Sequence, residues 1–485
     1  MKKLLALLLL LALPARPSAA PQPNPQPRAL VLTHVTVIDA TGAPARPDST
    51  VVITGGRITA LGRTGEVRTP EGAQVVDAKG KFLIPGLWDM HVHWYNPDFL
   101  PLFIANGVTG VRVMWGGSLH HQWRQEIERG ELLGPRMLIG SPIVDGPVPI
   151  WPGSIMVGDA AEGRQLVSRV KQEGADFIKV YNRIPREAYF AIADEAKKLG
   201  IPFAGHVPDA VSATEASDAG QKSIEHLTGI LEACSTREEE VRRTREEVWS
   251  HLPQGQRIPS RALLRPLNRT ILETFSAEKA SALFARLARN HTWQCPTLTV
   301  LRNMASLDDP KLHDDPRLAY MPSDVRTSWN PATDFRLKDR TPEDYERART
   351  AFRKQLELVG LMRRAGVEFL AGTDVINPYC FPGFSLHDEL GLLVQAGLSP
   401  LEALQAATLN PARFMGREKE LGTVEKGKLA DLVLLTANPL DDIGNSRKID
   451  AVVVDGRLYS KPEIEQMLAR IKAAATADGA APGRS

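Results

Sequence analysis

Residues 87–93 read Leu87-Trp88-Asp89-Met90-His91-Val92-His93, an apolar run that ends in two histidines one residue apart. In a β-strand, side chains two apart point to the same side. A strand here would therefore project both imidazoles together, as two ligands of one metal must. Working outward, short apolar runs recur through the middle of the chain as GVRVM, RMLIG, FIKVY, PFAGH, SIEH, WQCPTL and EFLAGTD. Amphipathic stretches separate them, clearest at Arg186–Lys198 and Leu401–Thr408. Eight strands alternating with helices is the count of a (β/α)8 TIM-like barrel, here over residues 86–417, although alternation by itself also suits a doubly wound sheet. The span exceeds the ~250 residues of a plain barrel, and the surplus lies in two long connections, 227–292 and 302–342. Each is read either as solvated helix and loop or as a lid.

Both flanks carry a different texture. Residues 29–85 and 418–462 are rich in β-branched runs broken by Gly and Asp, the signal of strands and hairpins. They predict a small composite β-sandwich domain built from both ends of the chain. Before it, Lys2 and Lys3, the apolar run Leu4–Leu13 and Ser18-Ala19-Ala20 read as a signal peptide over 1–20, followed by a proline-rich linker at 21–28. A ten-residue apolar run is short of the ~20 that span a bilayer. The mature protein is therefore expected to be periplasmic or secreted, without stable membrane association. Residues 473–485 are small and polar and are expected to form a disordered tail.

The whole chain has 485 residues, 43% hydrophobic and 24% charged, with 59 basic and 57 acidic side chains. Removing the three basic residues of the leader takes the formal charge from +2 to −1. That leaves no basic field to bind nucleic acid or an anionic membrane. Cys234, Cys295 and Cys380 permit one disulfide at most, so stability must come from packing.

His206, His226 and Asp374 each close one of the later strands, at the C-terminal edge where barrel enzymes gather their sites. Imidazole and carboxylate suit zinc and its first-row neighbours. Lys179, inside the apolar strand FIKVY, needs a reason to be there, because a buried ammonium is costly unless paired. It is either an ion-paired lysine or, after adding CO2, a carbamate able to bridge two cations. Asp89 suits a role behind the ligands. Trp94 and Tyr95 are expected to narrow the pocket, and the short span from Lys179 to His206 leaves little room for a long loop. His120 and His121 follow the second strand, whereas His34, His251, His291 and His313 default to surface or structural roles. The closing segment Gly422–Val433 is read as turns, and Thr408–Ala412 as a helix end stopped by Pro411.

IPGLWDMHVH, FIKVY, the two single-histidine strands, AGTD and GTVEKGKLADLVLL together resemble the amidohydrolase superfamily. GADFIKVY, AGHVP and SIEHLTG are most similar to its binuclear prolidase-like and imidazolonepropionase-like group. The resemblance implies that His91, His93 and Asp374 bind the more buried of two divalent metals and His206 and His226 the more exposed one. Zinc is favoured over manganese, cobalt or iron, and a CO2-derived carbamate on Lys179 would bridge the pair. It also implies that a hydroxide between the metals cuts an amide or peptide-like C–N bond, with Asp374 moving the proton to the leaving amine. Tyr181, Arg183 and His387 are candidate substrate contacts, and N-acyl amino acids or dipeptides the expected substrates. Homo-oligomers are compatible with this reading. Its rivals are a mononuclear deaminase or cyclic amide hydrolase on the same barrel, a lactonase, or a non-catalytic metal-binding protein.

Overall fold

The β-branched runs of the two chain ends pair with each other. In the computed structural model, which describes residues 28–253 and 255–478, they form one mixed sheet. Its order is Arg457–Ser460, Ile449–Val454, Leu432–Leu435, Phe82–Pro85, Leu30–Val37, Arg46–Thr54 and Arg57–Arg63, with Gln74–Asp77 also beside Leu30–Val37. Leu432–Leu435 runs antiparallel to Phe82–Pro85 and joins the two ends of the chain. A two-sheet sandwich was expected; the strands instead share one hydrogen-bonded ladder because Leu30–Val37 serves two neighbours in succession. Leu30–Thr33 pairs with Gln74–Asp77, and Thr36–Val37 with Phe82–Leu83. Between them the strand is irregular around His34, whose φ is 57°, and such bulges bend a strand. Leader 1–20, and the linker except Arg28, lie outside the described residues.

The middle of the chain supplies parallel strands: β1 (Leu87–Val92), β2 (Val108–Val113), β3 (Arg136–Ile139), β4 (Ile178–Val180), β5 (Phe203–Gly205), β6 (Ser223–Glu225) and β7 (Trp293–Cys295). β1 to β3 form one sheet, and β4 to β7 pair in order within a second. Every residue of β1 and β2 is buried, which is why these strands read as continuous apolar runs rather than alternating ones. The expected eighth strand, EFLAGTD, is not regular. It makes isolated parallel bridges, Phe369 to Gln294 and Val375 to Val92, and a further bridge joins Gly140 to Phe177. Two features interrupt it. Asp374 adopts a left-handed φ of 59°. Gly372 lies so close to β7 and β1 that a Cβ would stand 2.5 Å from Cys295 Sγ and 2.8 Å from His91 Cβ.

Helix Arg186–Leu199 ends at Gly200 in the left-handed region, a common stop. Pro400–Ala406 is helical, but Thr408–Ala412 is no helix end, since a new helix runs Leu409–Met415. Pro411 sits in its first turn, where a missing N–H leaves no bond unmade. The first long connection folds as helices Ile230–Ala233, Glu238–Ser250, Arg261–Glu273 and Ala277–Arg289. The second holds two 3-10 turns and helix Ser323–Ser328. Arg265 grips Asp344 at 2.9 and 2.7 Å, fixing the first connection against the start of the helix that follows the second. The last helix, Lys461–Asp478, continues through residues 473–478, where a disordered tail was expected, because Ile464, Ile471 and Ala475 are buried. No helix among the described residues is long and apolar enough to cross a membrane.

Candidate metal centre

β1 delivers His91 and His93 with their Nε2 atoms 3.2 Å apart. Asp374 Oδ1 completes a triangle, 3.3 Å from His91 Nε2 and 3.1 Å from His93 Nε2. Tetrahedral ligands held at zinc–nitrogen lengths of about 2.0–2.1 Å stand about 3.3 Å from one another, so these three donors fit a cation. The other two histidines adjoin them. Ring centroids are 5.1 Å apart for His93 and His91, 4.5 Å for His91 and His226, and 4.8 Å for His226 and His206.

Hydrogen bonds behind the rings set which nitrogen is free. His91 Nδ1 donates to Glu225 at 2.8 Å, and His206 Nδ1 lies 2.6 Å from Asn182 Oδ1. His226 Nδ1 lies 2.6 Å from Thr297 Oγ1, whose single hydrogen goes to the Pro296 carbonyl at 2.8 Å, so the ring must be the donor. In each case Nε2 keeps its lone pair. Burial, then the charge of Lys179, hold His91 and His206 well below the usual histidine range. His226 is pulled down to about 4, chiefly by burial. Neutral rings are what metal ligation requires.

Lys179 is buried, and its Nζ has no hydrogen-bond partner among the described residues. Burial pulls the amine down to about 8 against the pull of Glu225 and Asp374. An orphaned amine of this kind fits conversion to a carbamate, which needs a neutral nitrogen. Backbone strain gathers here as well: His226, Thr297 and Asp374 have φ of 58°, 48° and 59°. Each costs on the order of 1–3 kcal/mol, and such outliers cluster at functional sites.

The remaining candidates separate. Tyr181 stacks on His206 at 4.0 Å, and its hydroxyl accepts from Trp151 Nε1 at 2.9 Å, leaving its own proton free. Arg183 turns to the inserted helix and lies over Trp249 at 3.9 Å. His387 is not brought to the site. Its Nε2 donates to the Asn106 carbonyl and its Nδ1 accepts from Ser446, so both nitrogens are used, and Asn106 precedes β2 at the end away from the ligands. Trp94 packs against Phe103 and Trp123 inside the core, whereas Tyr95 is 55% exposed. His120 donates Nε2–H to the Trp94 carbonyl. Asp89 accepts from the Thr373 backbone and hydroxyl, tying β1 to the segment of Asp374.

Residues 299–459 match the model of the amidohydrolase family. Across 93% of this chain and 91% of its own, bottromycin amidohydrolase superposes with a TM-score of 0.73 at 25% identity. Ochratoxinase of Aspergillus niger is 24% identical over 450 residues, covering 79% of this chain and 76% of that enzyme. The family-model match and these likenesses support the amidohydrolase superfamily. A Xaa-Pro dipeptidase shares the fold of this chain, with a TM-score of 0.65, 20% identity and coverage of 89% and 100%.

Sequence reasoning gave no role to three residues of this site. Glu225 and Arg112 are fully buried and form a salt bridge behind His91, with Arg112 Nη2 2.8 Å from both carboxylate oxygens. Both are charges inside apolar strands, the same signal that singled out Lys179. Asn182, beside His206, was legible only as part of the loop that follows Lys179, since a polar residue in a loop is the common case.

Proposed function

We propose that this amidohydrolase is exported by its leader and hydrolyses the amide or peptide-like C–N bond of a small substrate such as an N-acyl amino acid or dipeptide. In this reading the parallel strands are the staves of a (β/α)8 barrel. His91, His93 and Asp374 would hold one divalent cation, zinc first, and His206 and His226 a second, with a carbamate on Lys179 between them. The observation that carries it is the triangle of His91, His93 and Asp374 beside the orphaned Lys179 amine. Carbamate formation consumes the neutral amine and CO2 and releases one proton.

Bound divalent cations supply Lewis acidity and bring the pKa of water toward neutrality. Asp374 accepts the proton that the attacking water gives up and returns it to the leaving nitrogen, so amide and water become acid and amine. Tyr181 keeps a hydroxyl hydrogen for the carbonyl oxygen as that atom gains charge. A cavity of about 800 Å³ is lined by Asn182, by Val207 and Leu227, which follow His206 and His226 in sequence, and by helices of the first long connection, but by none of the proposed ligands.

Metal analysis of the purified protein, together with a screen of N-acyl amino acids and dipeptides in bicarbonate, tests this. Two equivalents and turnover that Lys179→Ala abolishes are expected. One observation favours a mononuclear reading: of the proposed ligands, only His91, His93 and Asp374 gather within 4.8 Å among the described residues. One equivalent, with turnover surviving Lys179→Ala, would establish that alternative.

A further inference from the structure

His206 can offer Nε2 to a cation only if its proton sits on Nδ1, and Asn182 decides that. Oδ1 of Asn182 is 2.6 Å from His206 Nδ1. An amide is ambivalent, however. Turned by half a rotation, it would present N–H to the ring, drive the ring proton to Nε2 and remove the lone pair.

What breaks the ambivalence lies on the other side of the amide. The Asp209 backbone N–H donates to the Asn182 backbone carbonyl at 2.8 Å, which brings the two residues together. The Asp209 carboxyl stands beside the Asn182 side chain; burial raises its pKa against the pull of Arg245, and its Oδ2 has no hydrogen-bond partner among the described residues. A carboxylate accepts and does not donate. Only the NH2 end of Asn182 can face Asp209, which leaves only Oδ1 for His206. Arg245, with Nη1 3.5 Å from Asp209 Oδ1 and also paired with Glu232, supplies the countercharge from helix Glu238–Ser250. That helix belongs to the first long connection and also places Trp249 under Arg183.

We propose that Arg245, Asp209 and Asn182 form a relay through which the inserted helix fixes the tautomer of His206 and with it the affinity for the second cation. All three are positioning residues, and the inference rests on the ligand role of His206 given above.

The test compares the full-length wild type, Asp209→Asn and the exchange N182D/D209N, which keeps one amide, one carboxylate and the net charge while making residue 182 an obligatory acceptor. Nitrogen-15 histidine spectra of the metal-free proteins report the tautomer, and zinc titration calorimetry reports both affinities. Wild type should show Nδ1–H at His206. Asp209→Asn should mix the tautomers and weaken the second zinc equivalent about 10- to 100-fold with the first unchanged. The exchange should restore both. An unchanged tautomer in Asp209→Asn, or an exchange as defective as that single variant, overturns the relay. Should Asp209→Asn fail to fold, Arg245→Gln must shift both readouts in the same direction or the relay is wrong. Wild type that binds one zinc would overturn the two-metal reading instead, while the metal-free spectra still decide the relay.

Discussion

Glu225 is held entirely by protein groups. It accepts a hydrogen bond from His91 Nδ1–H, two from Arg112 and one from Ser223 at 2.5 Å. Arg112 in turn donates to the Met90 carbonyl, so a single buried pair supports the strand and orients its first histidine. Glu225→Gln should cost about 3–5 kcal/mol in urea unfolding, because it leaves a guanidinium buried without its countercharge. It should also weaken metal binding about 10- to 100-fold. Lys179 predicts the opposite balance. Its amine lies buried without a hydrogen-bond partner among the described residues, so Lys179→Met should raise the melting temperature of the metal-free protein while removing one metal equivalent. A melting temperature that falls in that variant would show the amine to be paired in solution.

Close approach matters more than regularity in the elements around the site. A methyl group at Gly372 would meet Cys295 Sγ at 2.5 Å and the His91 backbone nitrogen at 2.9 Å. Gly372→Ala should therefore destabilise by about 1–3 kcal/mol and displace His91, which melting curves and metal titration would register together. This segment also shows where sequence reading stops. The histidine pair of β1 was legible because alternation in a strand is a local rule, and Lys179 because a charge inside an apolar run conflicts with burial. The irregular path of residues 369–375 was not, since its bridges to Gln294 and Val92 and its left-handed Asp374 are set by packing between distant segments. The same holds for Arg245 and Asp209, which meet only once the inserted helix has docked.

At the scale of the whole molecule, His387 changes from a candidate contact to a clamp between helix Phe384–Gln395, Asn106 and Ser446. Burial pulls it to about 4 from an ordinary 6.5. The unfolded chain thus takes up a proton near 6.5 that the folded one refuses until about 4. Its contribution is complete above 6.5 and is lost as the pH falls toward 4, by about 3 kcal/mol across that window. His387→Gln should flatten this part of the stability profile measured by urea unfolding. The composite sheet carries a different consequence, for the order in which the chain can assemble. Leu432–Leu435 is the strand that covers Phe82–Pro85, and Leu87 begins β1 just beyond it. Until residue 435 has left the ribosome, that edge stays open. A nascent chain stalled before residue 432 already contains all six proposed metal ligands, yet has no finished sheet to anchor the strand of His91 and His93.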